Sequence, residues 1–303
     1  MKTFFYPDDA FLLERTVVTV GNFDGVHLGH GRILDRVISE KEHLGQKSVL
    51  VTFSPHPRSV LMGKEVHLLS TLGEKRLLLE PWCLDNLVVV RFDRKFASHS
   101  YRWFIKRFLV DKLGATTLVV GYDHSFGRDS RGKVEQMVHL GRLFGYRMDI
   151  VKPVEWNGEE IKSERIREML VSGRFAEAVS MLGHPYLVRG KVVPGKGIGK
   201  RLGYPTANLS ITKNKLLPTP GVYTASATVG QTKKRYSALV YIGSSPTFGG
   251  KNIQLETHLL NFSGQIYDEY VGLEIGERIA DEVKFRSEAE LKRKIEEYIR
   301  RIK

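Results

Sequence analysis

Short runs of β-branched and aliphatic residues alternate with helix-length stretches through the first 150 residues of the chain. Thr16–Val20 predicts a strand, and Leu28–Leu44 directly after it predicts a helix. The predicted elements that continue the alternation are Ser48–Phe53, Gly73–Leu79, Leu87–Phe92, Tyr101–Lys112, Thr117–Gly121, Lys133–Phe144 and Arg147–Val151. Strands separated by helices of this length form parallel βαβ units. We therefore expect an α/β domain with a doubly wound, Rossmann-like parallel sheet and a ligand site at the carboxyl ends of its strands.

The pattern changes to closely spaced strands after Gly183-His184-Pro185. Two helices, Ser163–Val171 and Phe175–Leu182, come before that break. The predicted strands beyond it are Leu187–Val193, Val222–Val229, Tyr236–Ile242, Ile253–Phe262 and Val271–Ile275, and a helix from about Ser287 to Ile302 ends the chain. Strands without intervening helices favour a small antiparallel β-barrel. We expect two domains, residues 1–183 and 184–303, which agrees with the length of 303 residues.

Charge is distributed unevenly along this basic chain, whose net charge is +13. No Asp or Glu occurs between Ala178 and Leu255, whereas eleven Lys and Arg residues do, and the next carboxylate is Glu256. Such a stretch suits an anionic partner, either the polyphosphate of a nucleotide or a nucleic acid. A single cysteine, Cys83, excludes a disulfide scaffold and fits a reducing compartment. No apolar run approaches the length of a membrane helix, so we expect a cytoplasmic protein without a membrane partner.

A glycine-rich segment with two histidines lies between the first predicted strand and the first predicted helix. It runs Gly21-Asn22-Phe23-Asp24-Gly25-Val26-His27-Leu28-Gly29-His30. A helix N-terminus presents unpaired N–H groups and partial positive charge, which favour a phosphate. His27 and His30 are one helical turn apart, so both can donate hydrogen bonds to phosphates as charge develops on them. A plain strand-to-helix turn with incidental histidines is the alternative interpretation.

A second glycine-rich segment, from Gly195 to Asn208, lies inside the acid-free stretch. Gly195, Gly197 and Gly199 alternate with other residues, and Lys200 is among those that add positive charge. The Thr206 hydroxyl and the Asn208 amide oxygen that follow are hard oxygen ligands suited to Mg²⁺. Glu256 is the candidate general base, because phosphorylating an alcohol requires that its proton be accepted.

The first half of the chain resembles the adenylyltransferase part of the prokaryotic bifunctional riboflavin kinase/FAD synthetase (FMN adenylyltransferase) family. The resemblance rests on Gly21–His30, on Thr52-Phe53-Ser54-Pro55-His56-Pro57, on the loop from Gly121 to Gly132 and on Ile161–Arg167. It implies that ATP is bound by Gly21, Asn22, Phe23, Asp24, His27, His30, Ser163 and Arg167, with His27, His30 and Arg167 acting in catalysis. It also places His56, Pro57, Asp123, Phe126 and Arg128 near the flavin.

The second half resembles the riboflavin kinase part of the same family. Its glycine loop with Pro205-Thr206-Ala207-Asn208, its Gly221-Val222-Tyr223 and its Glu256-Thr257-His258 strand follow that family's motifs. The resemblance implies that Gly195, Gly197, Gly199, Lys200, Thr206 and Asn208 bind ATP, that Thr206 and Asn208 hold Mg²⁺, and that Glu256 is the base. Phe285 is placed against the flavin.

The resemblance implies a bifunctional enzyme that phosphorylates riboflavin to FMN and adenylylates FMN to FAD with release of pyrophosphate. Its ligands would be ATP with Mg²⁺, ADP, riboflavin, FMN and FAD, with no nucleic acid, and the chain would be a monomer or a weak oligomer. Lys162 and Glu164 replace hydroxyl residues usual in the family, which leaves open a riboflavin kinase with a degenerate second domain. A nucleic-acid-binding or tRNA-charging protein is the other alternative, favoured weakly by the net charge.

Overall fold

The computed structural model describes residues 1–126, 132–195, 197–230, 232, 234–244, 253–283, 285 and 287–302. The described chain divides into two compact units, the first formed by Met1–His67 and Lys75–Lys162 and the second by Leu68–Glu74 and Ser163–Lys303. The domain boundary expected at residue 183 stays a prediction. No helix among the described residues is both long and apolar enough to cross a lipid bilayer.

Helices and strands alternate through the first unit. In chain order they are β1 (Lys2–Tyr6), β2 (Thr16–Val20), α1 (Leu28–Leu44), β3 (Lys47–Ser54), α2 (Pro57–Met62), α3 (Leu72–Leu78), β4 (Asn86–Arg91), α4 (Arg94–Ala97), α5 (Tyr101–Trp103), β5 (Ala115–Gly121), β6 (Ser125–Phe126), β7 (Gly132–Lys133), α6 (Val134–Phe144), β8 (Arg147–Val151), β9 (Glu155–Trp156) and β10 (Glu159–Glu160). A short 3₁₀ turn, Glu80–Trp82, follows α3, whose first three residues belong to the second unit.

A six-stranded parallel sheet forms the centre of the first unit, in the order β1-β4-β3-β2-β5-β8. Every residue of β2 is buried, as is expected of a strand covered on both faces. One face packs on a core that contains Val18, Val20, Phe104 and Met137. The predicted parallel sheet is confirmed, and β2 and α1 have the bounds expected from the sequence.

The helix predicted over Tyr101–Lys112 is divided. Regular α-helical winding ends at Trp103, and Phe104–Lys112 continues with the wider i→i+5 winding of a π-helix. Phe104, Ile105, Phe108 and Leu109 are all buried in this segment. Such winding is rare, and no hydrophobic period in the sequence distinguishes it from an ordinary helix.

The second unit is a closed barrel with three longer helices. Its elements are α7 (Ser163–Val171), α8 (Phe175–Leu182), β11 (Tyr186–Val193), α9 (Ile198–Leu202), β12 (Ala207–Ser210), β13 (Gly221–Val229), β14 (Arg235–Ser244), β15 (Ile253–Leu259), β16 (Tyr270–Asp281) and α10 (Glu288–Ile302). The strands close in the order β11-β12-β15-β14-β13-β16, and each described pairing is antiparallel. The predicted barrel and terminal helix are confirmed. The strand predicted to reach Phe262 ends at Leu259, before Asn261 adopts a positive φ of 55°.

A fully buried ion pair fastens Leu68–Glu74 to the barrel strands of the second unit. Lys215 Nζ lies 3.2 Å from Glu74 Oε2, and both side chains have 0% exposure. Lys215 also donates to the carbonyls of Leu69 and Leu187, while Glu74 Oε1 accepts the backbone N–H of Arg189. Both charges are thus surrounded by hydrogen-bonding partners, which is the condition under which a buried pair is tolerated.

Lys215→Met should destabilise the second unit by about 3–5 kcal/mol, because it leaves the Glu74 carboxylate buried without its cation. Chemical denaturation followed by circular dichroism measures this change. The double variant Glu74→Gln/Lys215→Met should recover part of the loss, since neither buried charge then remains. A single variant as stable as the parent chain would contradict this account of the pair.

Candidate functional site

The turn between β2 and α1 brings both histidines of the first motif together. His27 is the N-cap of α1, and its Nδ1 accepts a hydrogen bond from the backbone N–H of His30 at 3.4 Å. The two rings are stacked with centroids 3.7 Å apart. Accepting at Nδ1 leaves the ring hydrogen of neutral His27 on Nε2. The two rings therefore lie together at the start of the helix.

Strained backbone shapes this turn. Gly25 has φ 80°, and the non-glycine residues Phe23 and Val26 also have positive φ, at 47° and 44°. Residues other than glycine rarely adopt this region, so the surrounding structure must hold them there. Gly29 lies close to His27, because a Cβ at that position would be 3.1 Å from the His27 ring, which is tighter than most Cβ contacts.

Two polar atoms in the turn are buried with no hydrogen-bond partner among the residues that the structure describes. They are Asn22 Oδ1 and His30 Nδ1. Buried polar atoms in folded proteins are nearly always paired, so orphaned atoms at a helix start are consistent with a ligand that pairs with them. Asp24, in the same turn, is also buried, with 2% exposure.

The environment keeps His30 uncharged. Burial lowers the pKa of His30 well below its ordinary value, and the nearby His27, Lys75 and His124 lower it further. Burial likewise lowers the pKa of His124, to about 4. A neutral imidazole at this helix start can still donate one hydrogen bond to a phosphate.

The remaining residues expected around the first site lie on several elements. His56 is the N-cap of α2, where its Nδ1 accepts the N–H of Arg58 at 3.2 Å, and Pro57 is the first residue of that helix. Asp123 lies after β5, with its carboxylate 3.7 Å from Lys162 Nζ. Phe126 belongs to β6, whereas Arg128 lies outside the described residues.

Ser163 and Arg167 stand on α7, which groups with the second unit. Ser163 is its first residue, and Arg167 follows four positions later on the same helix face. Both side chains are half-buried. Lys162, one of the departures from the family pattern, lies at the end of the first unit, where Glu160 Oε2 is 2.8 Å from its Nζ.

Three strands of the barrel bring the residues of the second motif onto one face. Asn208 on β12 pairs in register with Glu256 on β15, which in turn pairs with Tyr241 on β14. Directly opposite residues on neighbouring strands point to the same side of a sheet. The hydroxyl of Thr206, just before β12, donates to Glu256 Oε2 at 3.1 Å.

The glycine loop runs directly against this face. A Cβ on Gly195 would collide with the side-chain amide of Asn208. One on Gly199 would collide with the Tyr204 carbonyl and lie 3.2 Å from Thr206 Oγ1. Gly197 has φ 69° and is the N-cap of α9, which carries the exposed Lys200. The glycines therefore allow a close approach that any side chain would block.

A cavity of about 280 Å³ opens beside Glu256 and Thr206. Its walls are largely apolar and come from barrel strands and from α10. The lining residues include Val222, Leu239, Tyr241, Phe285, Leu291, Ile295 and Tyr298. A small set of polar groups at one side of an apolar cavity is typical of a site for an organic ligand. Phe285 is the flavin residue expected from the sequence, and the structure places it in this wall.

Tyr241 lines the same cavity and was not among the predicted site residues. Its hydroxyl donates to Glu282 Oε1 at 2.7 Å, and burial, followed by this hydrogen bond, raises the pKa of Tyr241. Leu291, Ile295 and Tyr298 recur at helical spacing along α10, but no local signal showed that this apolar face lines a cavity. Helical spacing of apolar residues indicates that one helix face is buried, but it does not show which part of the protein or which ligand packs against that face.

A glycine-rich strand-to-helix turn on a parallel sheet and a closed barrel with a carboxylate beside an apolar cavity are the architecture of a two-module nucleotide-dependent transferase. Residues 11–165 match the family model for FAD synthetase, and residues 182–303 match the model for riboflavin kinase. The chain therefore belongs to the bifunctional riboflavin kinase/FMN adenylyltransferase family, and the resemblance found in the sequence is confirmed.

Curated relatives with that same description align with this chain over nearly their whole length. The protein of Buchnera aphidicola subsp. Schizaphis graminum is 32% identical over 294 residues, covering 96% of this chain and 94% of the relative. The Escherichia coli K12 protein is 33% identical over 283 residues, covering 93% and 90%. A crystal structure from Streptococcus pneumoniae, named as a macrolide-efflux protein, has a TM-score of 0.86 and 28% identity, covering 100% of this chain and 99% of that one.

Proposed function

We propose that this chain makes FAD from riboflavin in two ATP-dependent steps, phosphorylation in the barrel unit and adenylylation of FMN at the turn of the first unit. One observation carries the proposal most strongly: the Glu256 carboxylate, bonded to the Thr206 hydroxyl, borders an apolar cavity of about 280 Å³. A base beside an apolar cavity suits a substrate that pairs a large ring system with a reactive hydroxyl.

In the barrel, Glu256 accepts the proton of the ribityl 5′-hydroxyl as that oxygen bonds to the γ-phosphorus of ATP. The bond between this phosphorus and the bridging oxygen breaks, and ADP leaves. The Thr206 hydroxyl donates a hydrogen bond to Glu256 Oε2. This bond orients the carboxylate and leaves Oε1 to accept the proton. The riboflavin ring packs in the cavity against Phe285 and the apolar face of α10. Gly195, Gly197, Gly199 and Lys200 surround the phosphates, and phosphoryl transfer then depends mainly on positioning and on charge stabilisation.

Thr206 and Asn208 would hold Mg²⁺ in this site. A hydroxyl that donates its hydrogen to Glu256 still has oxygen lone pairs to offer a cation, and Asn208 adds an amide oxygen on the same face of the barrel. The donor chemistry therefore fits a hard divalent ion. Bound there, Mg²⁺ would neutralise charge on the ATP phosphates.

At the turn of the first unit, the phosphate of FMN attacks the α-phosphorus of a second ATP, and pyrophosphate leaves. His27 and His30 donate hydrogen bonds to the triphosphate, and the backbone N–H groups of Gly21–Asp24 and the start of α1 favour its charge. Ser163 and Arg167 of α7 are the further residues that the family resemblance implies for ATP binding, with a hydroxyl and a guanidinium suited to phosphate. His56, Pro57 and Asp123 border the flavin of FMN.

Product analysis tests the two steps directly. The purified chain is incubated with riboflavin, ATP and Mg²⁺, and the flavins are separated by chromatography, with a second reaction that starts from FMN. We expect FMN and then FAD in the first reaction, and FAD in the second. FMN without FAD would instead favour the kinase with a degenerate adenylyltransferase, and turnover of neither flavin would refute the proposal.

We also propose a cytoplasmic location, consistent with the single cysteine.

Tyr241→Phe should raise the KM for riboflavin about 3- to 10-fold, with a smaller effect on kcat, because one buried hydrogen bond contributes about 1 kcal/mol. The lost bond is the one that ties the cavity wall to Glu282. Steady-state kinetics of FMN formation measure the change. Tyr236→Phe is the matched control, since Tyr236 lies on the same strand but does not line the cavity. Equal effects of the two variants would count against a role for the Tyr241 hydroxyl.

A further inference from the structure

Lys75 is a buried lysine directly behind the phosphate turn, and none of the sequence motifs includes it. It lies on α3, is 6% exposed, and belongs to the first unit. Its Nζ donates to the backbone carbonyl of Asn22 at 2.5 Å and to Thr52 Oγ1 at 3.0 Å. The Thr52 hydroxyl donates to the same carbonyl at 3.0 Å. One carbonyl of the turn is thus held by two side chains from two different elements.

A buried ammonium at this position is costly. Removing a lysine from water penalises its charged form, and an apolar side chain of similar length would fill the same space without that penalty. Burial lowers the pKa of Lys75 to about 8, and the carboxylate of Asp24 acts in the opposite direction. The side chain therefore stays mostly protonated at neutral pH, so that a positive charge lies beneath the turn.

The turn needs such an anchor. Phe23, the residue that follows the held carbonyl, has φ 47°, and Val26 has φ 44°. Strained residues of this kind persist only where neighbouring groups fix them. The orphaned Asn22 Oδ1 belongs to the same residue whose carbonyl Lys75 holds. Loss of the ammonium would release the backbone that aims this side chain and those of the histidines.

We propose that Lys75 is a positioning residue of the adenylyltransferase site, whose ammonium fixes the Asn22 carbonyl and holds the Gly21–His30 turn in its phosphate-binding shape. This inference rests on the proposed function of the first unit. The same positive charge disfavours protonation of His30, whose ring also faces His27, His124 and Phe23. Lys75 thus acts on the reaction through the turn and through His30, without touching the substrate.

Lys75→Met tests the role, with the riboflavin kinase activity of the same chain as an internal reference. We expect FMN-to-FAD conversion to fall about 10- to 100-fold, while riboflavin phosphorylation stays within twofold of the parent. Arg76→Met, which alters the exposed next residue, is the matched control and should leave both rates unchanged. Thr52→Val removes the second donor to the same carbonyl, together with one acceptor of the ammonium, but keeps the positive charge. We therefore expect FAD formation to decrease about 3- to 5-fold.

The pH profile separates a positioning charge from simple packing. Removing the Lys75 charge raises the pKa of His30 toward its ordinary value, so His30 becomes protonated at a higher pH. The limb of the pH profile of FAD formation that reports protonation of His30 should therefore move to higher pH in Lys75→Met and stay in place in Thr52→Val. A packing role would lower the rate of Lys75→Met without moving this limb, and that result would overturn the proposal.

Other outcomes are equally decisive. FAD formation within twofold of the parent in Lys75→Met, or an equal loss of both activities, overturns the proposal. If Lys75→Met does not fold, Thr52→Val decides: a decrease of threefold or more confined to FAD formation supports the anchored turn, and no change overturns it. A parent chain that makes no FAD from FMN would instead refute the proposed function itself.

Discussion

Glu256→Gln should abolish FMN formation and leave FMN-to-FAD conversion intact. We expect the phosphorylation rate to fall about 10²- to 10⁴-fold, because glutamine cannot accept the proton of the ribityl hydroxyl. Gln keeps the shape of Glu and can still accept the Thr206 hydrogen bond, so the cavity should persist. Separate assays that start from riboflavin and from FMN measure the two effects in one preparation.

The control for this variant is Glu277→Gln, which removes an exposed carboxylate from another barrel strand. It should leave both rates unchanged. A Glu256→Gln chain that still makes FMN at a tenth or more of the parent rate would show that Glu256 is not the base. Riboflavin binding, followed by quenching of its fluorescence, should persist in Glu256→Gln, because the apolar walls of the cavity are unaltered.

His30→Ala should have the converse effect, with FAD formation reduced about 10²- to 10³-fold and riboflavin phosphorylation retained. The expected loss is that of a preorganised donor to the charge that develops on the triphosphate. The substitution also removes the ring that stacks on His27 at 3.7 Å. Initial rates of FAD and pyrophosphate release from FMN and ATP measure the change.

His43→Ala is the matched control for His30→Ala, because it removes an exposed histidine near the other end of the same helix. Both activities should survive it. If His30→Ala or Glu256→Gln eliminated both reactions in a chain that remains folded, the assignment of one reaction to each unit would be wrong. Circular dichroism of each variant provides the check on folding.

Much of the secondary structure could be predicted from local pattern. The bounds of β2, α1, β8, α7 and α8 agree with the sequence prediction to the residue. These elements have clear hydrophobic periods, and several end at glycines with positive φ, such as Gly45 and Gly183. The strand β1 was missed, because the sequence before Pro7 has no partner nearby and pairs with β4 some eighty residues later.

The short strand β12 shows where local pattern stops being informative. The segment from Pro205 to Asn208 was interpreted as part of a phosphate loop, yet Ala207–Ser210 is a barrel strand between β11 and β15. Four residues are too few for a period to appear. Its pairing with β15 nevertheless decides that Asn208 lies opposite Glu256, on which the proposed kinase site depends.

The sequence by itself determined the α/β unit, the β-barrel, the family and the motif residues, because each depends on a short period or on a spacing along the chain. Only the tertiary structure decided that Lys75 bonds to the Asn22 carbonyl, that Tyr241 and α10 line the cavity, and that Glu74 is buried against Lys215. These contacts join residues far apart in the chain. Their energies come from burial and from hydrogen-bond geometry. Both depend on the three-dimensional arrangement of the chain, so local composition does not predict them.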